Sequence, residues 1–197
     1  MAYIGLYGVY YALCDVQDGV LAGFTGGAKT MGKAISASFA PEDAGGSNLY
    51  ANNGIAETDG ATSSGGTLTL GLDRLKADAI ADLFGLTATT EDGASGFNYT
   101  GAETANPVGV AFIRQKQEDN VRDLHEVVIY SYVTFKLPSE DASTLGESIE
   151  WQTPEIEGTI SGGAVTSTFP WKKVFQFSSQ SDAIDFIDGY FSTAATT

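Results

Sequence analysis

The chain has 197 residues, 43% hydrophobic and 18% charged, with 25 acids against 10 bases for a formal net charge of −15. That balance excludes the basic footprint of a nucleic-acid-binding protein and disfavours an anionic membrane surface. The single cysteine, Cys14, excludes an intrachain disulfide and fits a reducing compartment.

The length predicts one domain, 1–197, which can bury roughly 70% of the surface exposed by the unfolded chain. No stretch approaches the roughly 18 apolar residues of a membrane helix. The opening MAYIGLYGVYYALCDV lacks a basic n-region, and Gly5, Gly8 and its tyrosines interrupt the apolar run, so it reads as a strand and not as a secretion signal. Asp18-Gly19 is a hairpin signal. Residues 23–30, GFTGGAKT, come near a phosphate-binding loop, which needs glycine directly before the lysine and a helix after it. Here Ala28 holds that position and a strand-like MGKAISASF follows, so the stretch reads as a flexible loop. In KAISASFAP, Ile35, Ala37 and Phe39 share one face. Segments at about 17–32, 41–66 and 86–106 are rich in Gly, Ser, Thr and Asn and read as long loops, with further turn signals at Asn53-Gly54, Asp59-Gly60 and Asp92-Gly93. The sequon at Asn98 is a chance match if the chain meets no glycosylating compartment.

GGTLTLGL alternates Leu68, Leu70 and Leu72 with Thr67 and Thr69. DRLKADAIADLFGL then changes to helical period, with Asp73 as N-cap, an apolar stripe of Leu75, Ala79, Ile80, Leu83 and Phe84, and Gly85 as the terminating glycine. VGVAFIRQKQ places Val108, Val110 and Phe112 together. The polar QKQEDNVRDLH predicts a hairpin at about 115–123 projecting beyond the core. HEVVIYSYVTFKLP is the strongest strand: Val127, Ile129, Val133, Phe135 and Leu137 on one face, Val128, Tyr130 and Tyr132 on the other, both covered near its middle. WKKVFQFSS aligns Trp171, Phe175 and Phe177. SQSDAIDFIDGYF begins with a Ser179–Asp182 capping pattern and faces Ile184, Ile187 and Phe191 inward.

Catalytic signals are thin. His125, the only histidine, cannot build a multi-histidine metal site. A Cys14–His125 pair stays open on sequence alone, although Cys14 has no local signature. A paired-acid glycosidase is supplied with carboxylates, but most of these fall in turns and on helix exteriors. The acidic clusters SEDAS (139–143) and EDAGG (42–46) lack calcium-loop spacing. Tyr3, Tyr7, Tyr10 and Tyr11 either pack a β-layer or sit at a subunit boundary. No catalytic, cofactor-binding or metal-binding residue is assigned, and the chain does not read as an enzyme.

Taken in succession, AYIGLYGVYYA, LYANNGIAETD, SGGTLTLGLDRL, VGVAFIR, VIYSYVTFKLPSEDASTLGESIEWQTPEIEGTI and WKKVFQFSSQSDAIDFIDGYF resemble the major tail protein family of long-tailed bacteriophages of Gram-positive bacteria. The resemblance implies a β-rich α+β fold, an antiparallel β-sandwich or half-barrel with one flanking helix and a short C-terminal helix. It implies a virion protein, assembled in the host bacterial cytoplasm into hexameric rings stacked as a tail tube. Its partners would be further copies of itself, a tape measure protein, and tail terminator and distal tail proteins. DNA would pass through the lumen without specific binding, helped by negative charge on the inner wall. An arm reaching the next ring would come from 115–123 or from 41–66, and the loops 17–32 and 41–66 would order when subunits dock. The alternatives are a secreted β-sandwich that binds glycans or surface ligands, and a tube protein of a related contractile, secretion or bacteriocin machine.

Overall fold

The period-two runs form strands and the two runs of helical period form helices. The computed structural model describes residues 2–42, 48–51, 54–58, 64–118, 121–139, 144 and 153–193. In chain order the elements are β1 (Ala2–Gln17), β2 (Val20–Gly32), β3 (Ala34–Pro41), β4 (Asn48–Ala51), β5 (Gly54–Thr58), β6 (Gly66–Leu72), α1 (Ala77–Phe84), β7 (Ala88–Glu91), β8 (Ala94–Phe97), β9 (Pro107–Glu118), β10 (Val121–Phe135), β11 (Glu155–Ile160), β12 (Lys172–Phe177) and α2 (Gln180–Phe191). The protein is mostly antiparallel β-sheet with two helices, a β-rich α+β fold.

An eight-stranded sheet runs β2-β1-β9-β10-β11-β6-β3, with β12 pairing the first half of β10 beside β11. Two separate ribbons, β4-β5 and β7-β8, stand outside it. Side chains from both ends of the strand order meet in one core: Met31 of β2, Val9 and Tyr11 of β1, Leu68, Leu70 and Leu72 of β6, and Phe39 of β3. The sheet therefore curls around this inner core, and α1 closes it with Ala79, Leu83 and Phe84. A second core lies on the outer face of β1, β9 and β10. There Ala12, Ala111, Ile113, Val127 and Ile129 pack under Phe24, Phe169 and the Ala183–Ile187–Phe191 stripe of α2. Each buried Leu, Ile or Phe contributes about 1.5–3 kcal/mol relative to exposure, and alternation on β9 and β10 supplies both cores from the same strands.

Three face assignments change because the strands are irregular. A bulge between Tyr130 and Val133 shifts the parity of β10. Val133 and Phe135 thus join Val128 and Tyr130 in the inner core, while Tyr132 packs with Val127 and Ile129. Leu137 lies beyond the strand and is 57% exposed. A bulge between Ala34 and Ser36 does the same to β3: Ala34, Ala37 and Phe39 face the core and Ile35 points to solvent. Trp171 precedes β12 and packs with Phe39 on the inner core, whereas Phe175 and Phe177 pack on Phe186 of α2 at ring separations of 4.9 and 5.1 Å.

The expected loop at 17–32 is largely β2. Its glycines allow the strand to bulge against β1 and still pair: Gly26 and Gly27 take φ of 80° and 67° where the register jumps from Tyr11↔Lys29 to Leu13↔Thr25. Its pairing with β1, from Val20↔Gln17 to Gly32↔Val9, forms inside one chain. The 41–66 segment contains the β4-β5 ribbon; Asn53, Asp59-Gly60 and residues 43–47 and 61–63 lie outside the described residues. The 86–106 segment contains the β7-β8 ribbon, turned at Asp92-Gly93, and β1 turns into β2 at Asp18-Gly19; all four turn residues have positive φ, as two-residue hairpins require. The hairpin at 115–123 projects less than expected, because Tyr3 and Ala2 of β1 pair with Lys116 and Gln117. Its turn, 119–120, lies outside the described residues.

Helix α1 starts three residues later than Asp73 predicts, with Lys76 at the N-cap and no side-chain cap. Asp73 instead accepts from the backbone N–H groups of Lys33 (2.7 Å) and Arg74 (2.8 Å), pinning the β2–β3 junction. Gly85 ends α1 in the left-handed region, φ 64°. Ser179 caps α2 by accepting from the Asp182 N–H at 3.1 Å.

Candidate assembly surface

A sheet of limited width has rims, and each rim carries unpaired N–H and C=O groups unless something covers it. Among the described residues β2 pairs with no strand but β1, β3 with none but β6, and β12 with none but β10. The β2 rim is partly covered within the chain: the Leu21 and Phe24 N–H groups donate to the carbonyls of Ala164 (2.7 Å) and Thr193 (3.2 Å), and the Lys76 N–H donates to the Met31 carbonyl (3.0 Å). Large apolar side chains sit along these strands in solvent: Ile35 on β3 (54% exposed), Val20 on β2, and Val174 and Phe175 on β12. The rims of β3 and β12 thus combine one-sided pairing among the described residues with exposed apolar side chains.

A charged stripe crosses the inner face where β1, β9, β10 and β12 extend toward the hairpin. Glu126 on β10 stands opposite Arg114 on β9 and opposite Gln176 on β12. Its carboxylate takes ion pairs from Arg114 and Lys116, and the Tyr3 hydroxyl donates to Oε1 at 3.1 Å. The Arg114 guanidinium lies over the Tyr3 ring, 4.3 Å from its centroid. Burial works to raise the Glu126 pKa, but the Lys116 hydrogen bond and the Arg114 charge outweigh it and hold the carboxyl below its usual range. The Lys172 ammonium lies over the rings of Phe39 (4.9 Å), Tyr130 (5.7 Å) and Trp171 (5.9 Å). Burial, and then the Arg114 charge, lower its pKa.

Between α1 and the end of β10 runs an open groove of about 1140 Å³, continuous with a smaller one of about 430 Å³. Phe84, Tyr99, Lys136 and Leu137 line both. Glu155 and Glu157 edge the larger one, and Lys136 pairs with Glu157 at 2.8 Å.

The residues singled out for chemistry are dispersed. Cys14 on β1 donates to the Ser131 carbonyl at 3.4 Å, and burial pushes its thiol up to about 12. His125 is buried at the other end of β10, beside Tyr7 at a ring separation of 6.2 Å, with Nδ1 lacking a partner. Six residues separate His125 from Ser131, roughly 20 Å of strand at ~3.3 Å per residue. No Cys–His pair forms. Lys29 of GFTGGAKT is held by Asp82 at 2.8 Å, and the strand setting leaves no curled loop for a phosphate. The tyrosines divide: Tyr11 is core and donates to Asp82 at 2.8 Å, Tyr7 and Tyr10 pack against the outer core, and Tyr3 stays 54% exposed. Among the described residues no three His, Cys, Asp or Glu side chains are grouped to hold a metal, and no helix is long and apolar enough to cross a membrane.

Sequence reasoning missed the charged stripe. Its signal was the period-two placement of Arg114 and Lys116 opposite Glu126 across a hairpin, which needs the pairing register to be read. No family model and no curated protein matches the sequence.

Proposed function

We propose that this chain is a structural subunit whose copies join at their strand rims into rings, stacked as the hollow tail tube of a long-tailed bacteriophage. One observation carries the reading: among the described residues β3 and β12 are each paired with a strand on one side only, with Ile35, Val174 and Phe175 exposed on them. Exposed rims on an isolated chain are an aggregation hazard, and a closed ring of copies removes them. The β-rich sheet with one helix closing its curl and a second on its outer face agrees with the sandwich or half-barrel of tube subunits. The chemistry suits a DNA conduit too. Arg114, Lys116, Lys29 and Lys136 are paired with carboxylates, and Lys172 and Lys173 lie over aromatic rings. Cations engaged in this way gain less counterion-release energy from passing phosphates. Tape measure, terminator and distal tail proteins would meet the tube at its axis and ends, and the virion would be its location.

Negative-stain microscopy of the concentrated protein tests this reading, and hollow tubes of uniform width are its expected result. A single-copy particle at every concentration and ionic strength overturns it. The groove beside Tyr99 favours a second reading, a glycan-binding module; a glycan array on the purified protein separates the two.

A further inference from the structure

Three of the ten bases, Arg114, Lys116 and Lys172, surround a single acid, Glu126, in a chain of net charge −15. Lys116 and Glu126 are almost wholly buried, whereas the Arg114 side chain remains 32% exposed. Its Nε is buried and has no acceptor. Among the described side chains the stripe thus sets three cations against one carboxylate, with part of the Arg114 guanidinium open to solvent. Tyr3 and Val174, exposed apolar surface on the same strands, flank it. Arginine and tyrosine around a partly dry charge are the composition of a protein–protein contact.

The complement lies on α2. Asp182, Asp185 and Asp188 recur every third residue along its exposed side, a line of carboxylates about 9 Å long at 1.5 Å rise per residue. Like charges at this spacing repel, and Asp188 stands in the last turn, where the helix dipole disfavours an anion. No base in the last turn compensates, and among the described residues no side chain donates to these carboxylates. Gly189, adjacent on the helix, has open space where a Cβ would stand, so no packing within the chain accounts for a helix-weakening glycine there. Asp182 follows the local rules, as an acid in the first turn beside the Ser179 cap; Asp188 and Gly189 break them together in the last turn, and on an exposed face that points to a use outside the chain.

We propose that the Arg114–Lys116–Lys172 stripe is a docking site for a second copy of this chain, whose α2 presents the Asp182–Asp185–Asp188 carboxylates to it. The two surfaces lie on opposite faces of the central strands, so the contact is head-to-tail and propagates from copy to copy. It also gives strongly acidic chains a specific attraction that offsets their mutual repulsion. The inference rests on the self-assembly reading above and adds to it the residues that choose the partner's orientation.

The test uses the full chain and the triple variant Asp182→Lys/Asp185→Lys/Asp188→Lys, whose changes are all on the surface; an unchanged circular dichroism spectrum and melting point confirm its fold. Sedimentation is followed from about 50 mM to about 1 M NaCl, where screening removes the attraction. The expected result is association of the wild type that weakens with salt, and association of the triple variant reduced about tenfold or more. Mixed with wild type, the variant should still accept a wild-type helix on its intact stripe and so shorten the assemblies. Tubes that form equally well from the triple variant overturn the docking site and leave the tube reading standing. Salt-sensitive, variant-sensitive association into particles that are not tubes upholds the docking site and overturns the tube reading. A wild type that stays single-copy throughout overturns both.

Discussion

The two ends of β10 close the same inner core by opposite means. At one end Val133 and Phe135 pack on Ile156 and Ile160 of β11, and volume alone does the closing. At the other, Glu126 is clamped by Arg114 and Lys116 under the Tyr3 ring. The apolar end is covered within the chain, since β11, β6 and β3 continue the sheet beside it. The charged end lies between β9 and β12, and among the described residues no strand follows β12. A buried ion cluster gains little net stability over apolar packing, so the two ends differ in what they contribute to the fold.

That contrast breaks at its strongest point first. Phe135→Ala and Glu126→Gln should each cost about 3–5 kcal/mol, the first by leaving a cavity and the second by stranding buried cations. Denaturant unfolding measures both. The difference is in repair: Glu126→Leu combined with Lys116→Met should recover most of the second loss, because it replaces the buried pair with apolar groups and leaves only Arg114, whose 32% exposed side chain water can solvate. A double variant as unstable as Glu126→Gln would show that the charges are needed for the fold itself. Next in size, Gly158→Ala at the apolar end should cost about 1–3 kcal/mol by overpacking. Its new Cβ would meet Val133 Cγ1 at 2.7 Å and Phe135 Cδ1 at 2.9 Å.

pH separates the ends in a third way. The folded Glu126 pKa lies below the unfolded value of about 4.3, so its contribution is present at neutral pH and lost as pH falls through the folded value. Melting temperature between neutral pH and about pH 3 should therefore fall less in the double variant than in the wild type. Burial raises Cys14 and Tyr130 to about 12. Both are raised acids, so the stability they contribute is full below their unfolded values, about 8.5 and 10, and is lost as pH climbs toward the folded ones. Cys14→Ala with Tyr130→Phe should flatten the alkaline limb of the melting curve. The smallest effect is Lys136→Ala, which removes an ion pair exposed on both sides and should stay within about 1 kcal/mol.

The alternation in GGTLTLGL and HEVVIYSY, the Gly85 stop and the Ser179 cap were all legible in the sequence, because each depends on neighbours within a few residues. What escaped it depended on register. The bulges at Ala34/Ser36 and Tyr130/Val133 invert a face through one unpaired residue, which no period-two count detects. Asp73 looked like a helix cap and is one in chemistry, but its partners are Lys33 and Arg74, the former forty residues away. β2 was hidden by its glycines, which read as loop and serve as bulges. The charged stripe is assembled from four strands, and its members become neighbours only when β9 and β10 are laid in register.

One feature of the outer core bears on how the chain is made. Helix α2 comes after every strand it covers, so a ribosome delivers β1, β2, β9 and β10 well before their lid. Throughout that interval Phe24, Ala111, Ile113 and Ile129 lack the helix that covers them. A message cut short before Ser179 yields a sticky product, prey for chaperones and proteases, and only a chain translated through α2 can leave quality control as a building block.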